Sequence, residues 1–390
     1  MPEATEGIRT RNLARVLGLV HGLGPLSRAE LTRHTGLNRS TIADLVASLS
    51  EGGWLTERAP DPAGRAGRPS PVVAASPDVL CIAVNPEVDA VTIGAVRIDQ
   101  SIAIRERIET EGLISPAETV DLITSTIDRW RENMPSTAWI TSVGVAVPGL
   151  VRGEDGAVRT APHLGWRDVP LGPLISARTG LPTAVDNDAT LGAIAEHLYG
   201  AARGVDDVVY LNGGASGIGG GLIVHGMPVR GASGYAGEFG HNRPHVARSD
   251  EGGGTDAALE DEVSRARLLD AVGLHGADEA TLAQALAGST DPGVIAEMAR
   301  QRRILATALS NAVNVLNPSR IVLGGFLATL ADPDPADLVD LVRAQSMPGA
   351  AADVDIRTAA LAEDRLLIGA AEAAFAPLLS DPLRDRAPGR

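Results

Sequence analysis

The chain has 390 residues, 44% of them hydrophobic and 21% charged, a globular rather than disordered composition with enough chain for two or three domains. No apolar run reaches the roughly 20 residues that span a bilayer. Met1–Arg15 lack the apolar segment of a secretory signal, and the single cysteine, Cys81, allows no intramolecular disulfide, so a cytoplasmic, membrane-free protein is expected. The net charge of −15 is unevenly spread: residues 1–75 hold nine arginines against seven acids. A mildly basic end on an acidic body is the asymmetry expected when one end alone meets phosphate.

In chain order, Ile8, Leu13, Val16, Leu17 and Val20 recur at helical spacing and predict a first helix ending near His21-Gly22. Ser27 with Glu30 three residues on reads as a capping box, which starts a second helix over Arg28–Thr35. Gly36 supplies the turn, since a sharp helix-to-helix connection needs a residue that tolerates positive φ. A third helix begins near Asn38 and turns Ile42, Leu45, Val46 and Leu49 inward. That leaves Asn38, Arg39, Ser40 and Thr41 at its exposed start, where a recognition helix carries its readers. Arg28 is placed with them as a DNA contact. Two strands, Trp54–Glu57 and Ser70–Ala74, flank a loop rich in Gly, Pro and Arg, in which Arg65 and Arg68 suit a narrow minor groove. The segment SRAELTRHTGLNRSTI resembles the helix-turn-helix of many bacterial repressors, and with the following hairpin it predicts a winged helix over residues 1–76.

From residue 77 the pattern changes to short strands and longer helices. Val79–Val84, Ala90–Ile98 and Ser101–Ile108 read as a strand meander, Pro116–Met134 as a helix and Trp139–Val147 as a strand. Strands at Val208–Leu211, Gly219–Val224 and Met227–Arg230 repeat the theme, followed by a helix over Asp291–Leu316 and a strand at Arg320–Leu323. The stretch SGIGGGLIVHGMPVRGASGYAGEFGH at 216–241 closely resembles the signature of the ROK family (repressors, open reading frames, kinases). Val147-Pro-Gly149, Ala161 to Trp166, Asp186-Asn-Asp188, Ile321 to Gly325 and Ile368 to Ala371 add to the resemblance. It implies a two-lobed, actin-like, sugar-kinase-like α/β body over residues 77–390, used for ligand binding and dimerisation.

The resemblance assigns chemistry residue by residue. Asn187, Asp188, Glu238 and His241 match positions that hydrogen-bond sugar hydroxyls, Glu260 matches a fifth, and His163 stands where relatives often carry Asn. Carboxylates, an amide and an imidazole suit hydroxyls, each of which offers one donor and two acceptor sites. Asp188 also matches the kinase base. The family's phosphate turn, Asp-x-Gly-Gly-Thr, is replaced by Val84-Asn-Pro-Glu-Val-Asp-Ala90: Pro86 removes an N–H donor and Glu87 and Asp89 repel anions. The second loop reads Ala215-Ser216-Gly217 in place of Gly-Thr-Gly. The cysteines that hold zinc in many ROK proteins are absent, so no metal and no cofactor are expected. The resulting expectation is a DNA-binding transcriptional regulator, a repressor acting as a homodimer or dimer of dimers on a double-stranded operator. It responds to a sugar or sugar derivative in a body that has lost kinase activity. The competing reading is an active ATP-dependent sugar kinase with a DNA-binding extension.

Overall fold

The computed structural model describes residues 2–58, 71–214, 216–244, 257–332 and 335–384. It divides into two compact units, Met1–Ala146, Pro170–Val185 and Ala370–Arg390 in the first, Val147–Val169 and Asp186–Gly369 in the second.

The first unit opens with three helices, α1 (Pro2–Leu23), α2 (Arg28–Thr35) and α3 (Arg39–Glu51). Ser27 caps α2 through the reciprocal bonds of a capping box with Glu30, and Gly36 ends it at φ 72°. Leu13, Val16, Leu17 and Val20 of α1 and Ile42, Leu45, Val46 and Leu49 of α3 are all buried, as their spacing requires. The strands β1 (Leu26–Ser27), β2 (Leu55–Arg58) and β3 (Val72–Ala75) form a small antiparallel sheet in the order β1-β3-β2. Its hairpin tip, with the expected Arg65 and Arg68, lies outside the described residues.

The same unit continues into β4 (Val79–Pro86), β5 (Ala90–Arg97) and β6 (Ile102–Glu109), then α4 (Pro116–Asn133) and β7 (Trp139–Val147). With the strand Thr183–Asn187 they form a five-stranded sheet in the order Thr183–Asn187, β7, β4, β5, β6, in which β4 pairs parallel with β7 and antiparallel with β5. All eight residues of β4 are buried, the pattern of a strand covered on both faces. The closing helix, Arg365–Ser380, approaches so closely that a Cβ on Gly144 would lie 1.9 Å from Ala370 O.

The second unit is built on another five-stranded sheet. Its order is Met227–Pro228, Gly217–Val224, Val208–Gly214, Arg320–Gly325, Asp355–Thr358, the last three parallel. The helix Asp188–Tyr199 lies directly on the glycine-rich strand: Cβ atoms at Gly219 and Gly221 would come within 2.7 and 2.5 Å of the Ala189 and Ala193 methyls. Only residues without side chains permit that approach, and it holds Ala189, next to Asp188, against the strand. The helix Pro292–Leu316 covers the sheet with Ile304, Leu305, Leu309 and Val313.

Candidate functional site

On the winged helix, Asn38, Arg39 and Ser40 are exposed and Thr41 is half-buried. Asn38 is the N-cap of α3: its Oδ1 accepts from the Thr41 N–H and from the Ser40 hydroxyl, both at 2.8 Å. Its oxygen therefore orders the helix start, and Arg39 is the long donor displayed there. Arg28 forms a two-bond ion pair with Glu57 of β2, each bond 2.6 Å, which ties α2 to the wing. Arg15, not singled out by sequence, donates to Thr35 O at 2.9 Å and His34 O at 2.8 Å and so satisfies the last carbonyls of α2. The only signal for it was an arginine among the apolar positions of α1.

The second unit brings the sugar-type residues onto two adjoining pieces. On one, Asn187 caps the helix Asp188–Tyr199. Its Oδ1 accepts from Thr190 N–H at 2.9 Å, and its Nδ2 donates to Gly149 O at 3.0 Å and Asp188 Oδ1 at 3.3 Å. Both amide hydrogens are thus spent on the protein, and Asn187 positions Asp188. Burial is the main influence on Asp188 and raises its pKa to about 6, the charge of Glu238 adding to the rise while the Ala189 N–H and Arg365 oppose it. Arg365, at the start of the closing helix, is 8% exposed and its Nε has no hydrogen-bond partner. It is a cation that sequence reading missed, 177 positions away. Asp186 is 5% exposed, bonds the Asn187 N–H at 2.9 Å and pairs with Arg230.

On the other piece, Glu260 Oε2 accepts from Ile218 N–H at 3.2 Å and Oε1 lies 3.2 Å from His241 Nδ1. A Cβ on Gly217, where φ is 134°, would fall 2.4 Å from that carboxylate, so the glycine is needed for Glu260 to rest on the loop. Glu238 titrates above the usual carboxylate range, raised first by desolvation and also by Glu260, with His241 pulling against them. His241 is 71% exposed in its side chain. His163 is exposed on a short 3-10 turn, Pro162–Leu164. The arrangement offers three carboxylates and an imidazole, acceptors and donors for a polyhydroxyl ligand.

The turn at residues 85–90 lies in the first unit. The Glu87 N–H is used by Ala90 O at 2.7 Å, and the Asn85 amide by Glu87 at 2.9 Å. Ala215 and His245 lie outside the described residues. The sequence has one cysteine, Cys81, and it is buried in β4, far in sequence from His241. No described helix is long and apolar enough to cross a membrane.

Residues 10–66 match the MarR family and residues 82–376 the ROK family. The chain is 24% identical over 374 residues to the xylose repressor of Caldicellulosiruptor bescii, with 92% of this chain and 93% of that one covered. It is 25% identical to the DNA-binding transcriptional repressor Mlc of Escherichia coli, covering 95% and 94%. Its structure matches that of a ROK family transcriptional regulator, a homologue of E. coli Mlc, with a TM-score of 0.76, 25% identity and coverage of 97% and 98%. A ROK glucokinase from Streptomyces griseus matches at TM-score 0.60 and 23% identity over 76% of this chain and 99% of that one, a likeness of fold alone. Winged helix, glycine-rich strand and the match along most of its length agree: this chain belongs to the ROK family.

Proposed function

We propose that the protein is a DNA-binding transcriptional repressor of the ROK family whose operator affinity is set by a sugar or sugar derivative. Residues 1–76 bind the operator, through Arg39 at the start of α3 and through Arg65 and Arg68 in the wing. Residues 77–390 bind the effector and hold two chains together, in the cytoplasm where the operator lies. The relatives named as xylose and Mlc repressors support this reading, and a two-fold dimer would match a palindromic site. The observation that carries the sugar half is the cluster of Asp188, Glu238, Glu260 and His241, which keeps hydroxyl-binding groups together. Meanwhile the hairpin at residues 85–90 spends its donors internally and adds acids, which supports loss of kinase activity. Asn187 and His163 play lesser parts, the first as the cap that aims Asp188.

Sugar acts by differential affinity for two arrangements of the protein. A thermal-shift screen against sugars, amino sugars and sugar phosphates, with and without ATP-Mg, tests the reading. Ligand at 100 times its dissociation constant adds about 2.7 kcal/mol of stability. A shift with one sugar class that ignores ATP is expected, and silence across the panel sinks the sugar claim. One observation favours the competing kinase: a carboxyl with a pKa of about 6 suits a general base near neutral pH. Coupled turnover with ATP-Mg and the sugar that binds best decides between them, sustained phosphorylation overturning the sensor reading.

A further inference from the structure

Arg365 and Asp188, both of the second unit, are connected by buried polar groups along one side of the helix Asp188–Tyr199. Asp188, Gly192 and Glu196 follow one another at i, i+4 and i+8, a spacing that stacks them on that side over about 12 Å. The Tyr210 side chain lies over the middle position: a Cβ on Gly192 would fall 2.9 Å from its hydroxyl oxygen. Tyr210 is fully buried, and its hydroxyl donates to Asn212 Oδ1 at 3.4 Å.

Glu196, also fully buried, anchors a segment far along the chain. Its Oε2 accepts from the Ala201 N–H at 2.7 Å and the Ala360 N–H at 3.0 Å, and its Oε1 from the Leu361 N–H at 2.8 Å. Bonds from backbone donors to a charged carboxylate are strong ones. They fix the segment that leads, through the short turn Ala362–Asp364, into Arg365. Arg365 in turn donates from Nη1 to Ala362 O, which ties its guanidinium to the turn that Glu196 holds.

Bonds to neutral acceptors satisfy the donors of a buried guanidinium but leave its charge to be met by an anion. The Glu279 carboxylate lies 3.7 Å from Nη2, but its side chain is 49% exposed, where water screens the pair. Asp188 offers a buried counter-charge. Desolvation is the largest influence on it and raises its pKa, with Glu238 adding to the rise, while the Ala189 N–H and the Arg365 charge act against them. The Tyr210 hydroxyl feels both partners: burial pushes its pKa far up, so it stays neutral, and Arg365 and Asp188 act on it in opposite directions.

We propose that Arg365 is a positioning residue of the effector site: held by the segment that Glu196 anchors, it is the buried counter-ion that keeps Asp188 charged for effector hydroxyls. The groups that act on the Asp188 charge are Arg365 from the closing helix, Glu238 before the 3-10 turn Phe239–His241, and the Ala189 N–H of its own helix. The role rests on Asp188 being a sugar ligand. An ionised carboxylate accepts from a hydroxyl through either oxygen, whereas protonation turns one oxygen into a donor. Affinity therefore falls as pH drops through the Asp188 midpoint, and without Arg365 that loss begins at higher pH.

The test follows Asp188 in the full-length protein by carbon NMR of labelled aspartate side chains, its signal assigned by its loss in Asp188→Asn. Sugar affinity is measured alongside from about pH 5 to about pH 9. In Arg365→Met the Asp188 midpoint should rise by about one unit or more, and in Arg365→Lys, which keeps the charge, it should stay near that of the parent. A one-unit rise from about 6 cuts affinity roughly five-fold at pH 6 and leaves it unchanged at pH 9. Where Arg365→Met does not fold, Arg365→Gln removes the charge while keeping an N–H donor and should move the midpoint in the same direction. An unmoved midpoint in the uncharged variant, an equal rise in Arg365→Lys, or an affinity loss of one size at every pH overturns the proposal. A parent that binds no sugar sinks the sugar reading instead, and the midpoint in the empty protein still decides whether Arg365 is the counter-ion.

Discussion

Asp188→Asn is the substitution whose consequences the geometry fixes most closely. Burial moves the carboxyl from 3.8 to about 6, and a shift of roughly two units corresponds to on the order of 3 kcal/mol. The folded state holds the proton more tightly than the unfolded state. The associated stability is therefore complete below about pH 3.8 and is lost as pH rises through about 6. At pH 8 the empty protein carries the penalty in full. Asparagine has the same shape, keeps an oxygen for the Ala189 N–H that Asp188 accepts at 2.8 Å, and has no charge to desolvate. The variant should match the parent near pH 4 and exceed it by up to about 3 kcal/mol at pH 8. For a unit of this size that is a rise of roughly 6–12 °C.

The same change should weaken the effector. Hydrogen bonds to an ionised group are worth about 1.5–3 kcal/mol, so sugar affinity should fall roughly 10- to 100-fold even as the empty protein gains stability. Calorimetric melting at pH 4, 6 and 8, with and without the best sugar, reads both effects. Parallel melting curves for parent and variant across that range would falsify the buried-anion argument. An unchanged sugar-dependent shift in the variant would remove Asp188 from the site.

Arg39→Ala should cost about 1–3 kcal/mol of discrimination between operator and mutated operator while leaving the melting temperature in place; equal discrimination by the variant in a binding assay would dismiss Arg39 as a reader. Arg65→Ala and Arg68→Ala should weaken binding to all sequences alike and flatten the salt dependence by about one counterion each, which a salt titration of affinity measures. Gly221→Ala forces a methyl to within 2.5 Å of the Ala193 side chain and 2.9 Å of Ala189 O. It should cost about 1–3 kcal/mol by overpacking and weaken sugar binding in step; a variant that melts and binds like the parent would show that the strand does not position Asp188.

Much of this was readable from sequence because the signals were local. The capping box at Ser27 and Glu30 and the apolar stripe of α3 each lie within a few residues, and they set α2 and α3 where they are found. Of the meander strands, β6 alternates towards its end, whereas β4 and β5 stand out as continuous buried apolar runs. Strand β1 has two residues, too few for any period to show. The roles of individual polar groups were harder. The bond of Arg28 to Glu57, 29 positions on, depends on how the wing folds back, and no local spacing signals it. Asn38 and Asn187 suggest ligand groups because amides bind bases and sugars, and both also serve as helix caps. Each immediately precedes a helix, and that place, favourable for an N-cap, was the available clue. Glu196 and the segment leading to Arg365 join through tertiary packing alone, and no spacing announces them.

The altered phosphate turn bears on how such a protein can switch. Besides the bonds within the hairpin, Arg107 is held among Asp89 at 3.0 Å, Glu109 at 3.5 Å and Glu87 at 3.6 Å, so this cation is already surrounded by acids. On the proposed reading, a nucleotide at this turn would have to displace those pairs and place its charge beside three carboxylates, and the effector would supply the switching free energy. Moving an equilibrium from 1:99 to 99:1 takes about 5.5 kcal/mol of differential binding. At about 1.5–3 kcal/mol for a bond to a charged group, two to four hydroxyl–carboxylate bonds made in only one of the two states are sufficient. Asp188, Glu238 and Glu260, the proposed sugar ligands, would provide that number without any contribution from phosphate. Their worth depends on being bonded in one state and solvated in the other, so a sugar lacking a single matching hydroxyl should still bind yet leave the repressor only partly switched.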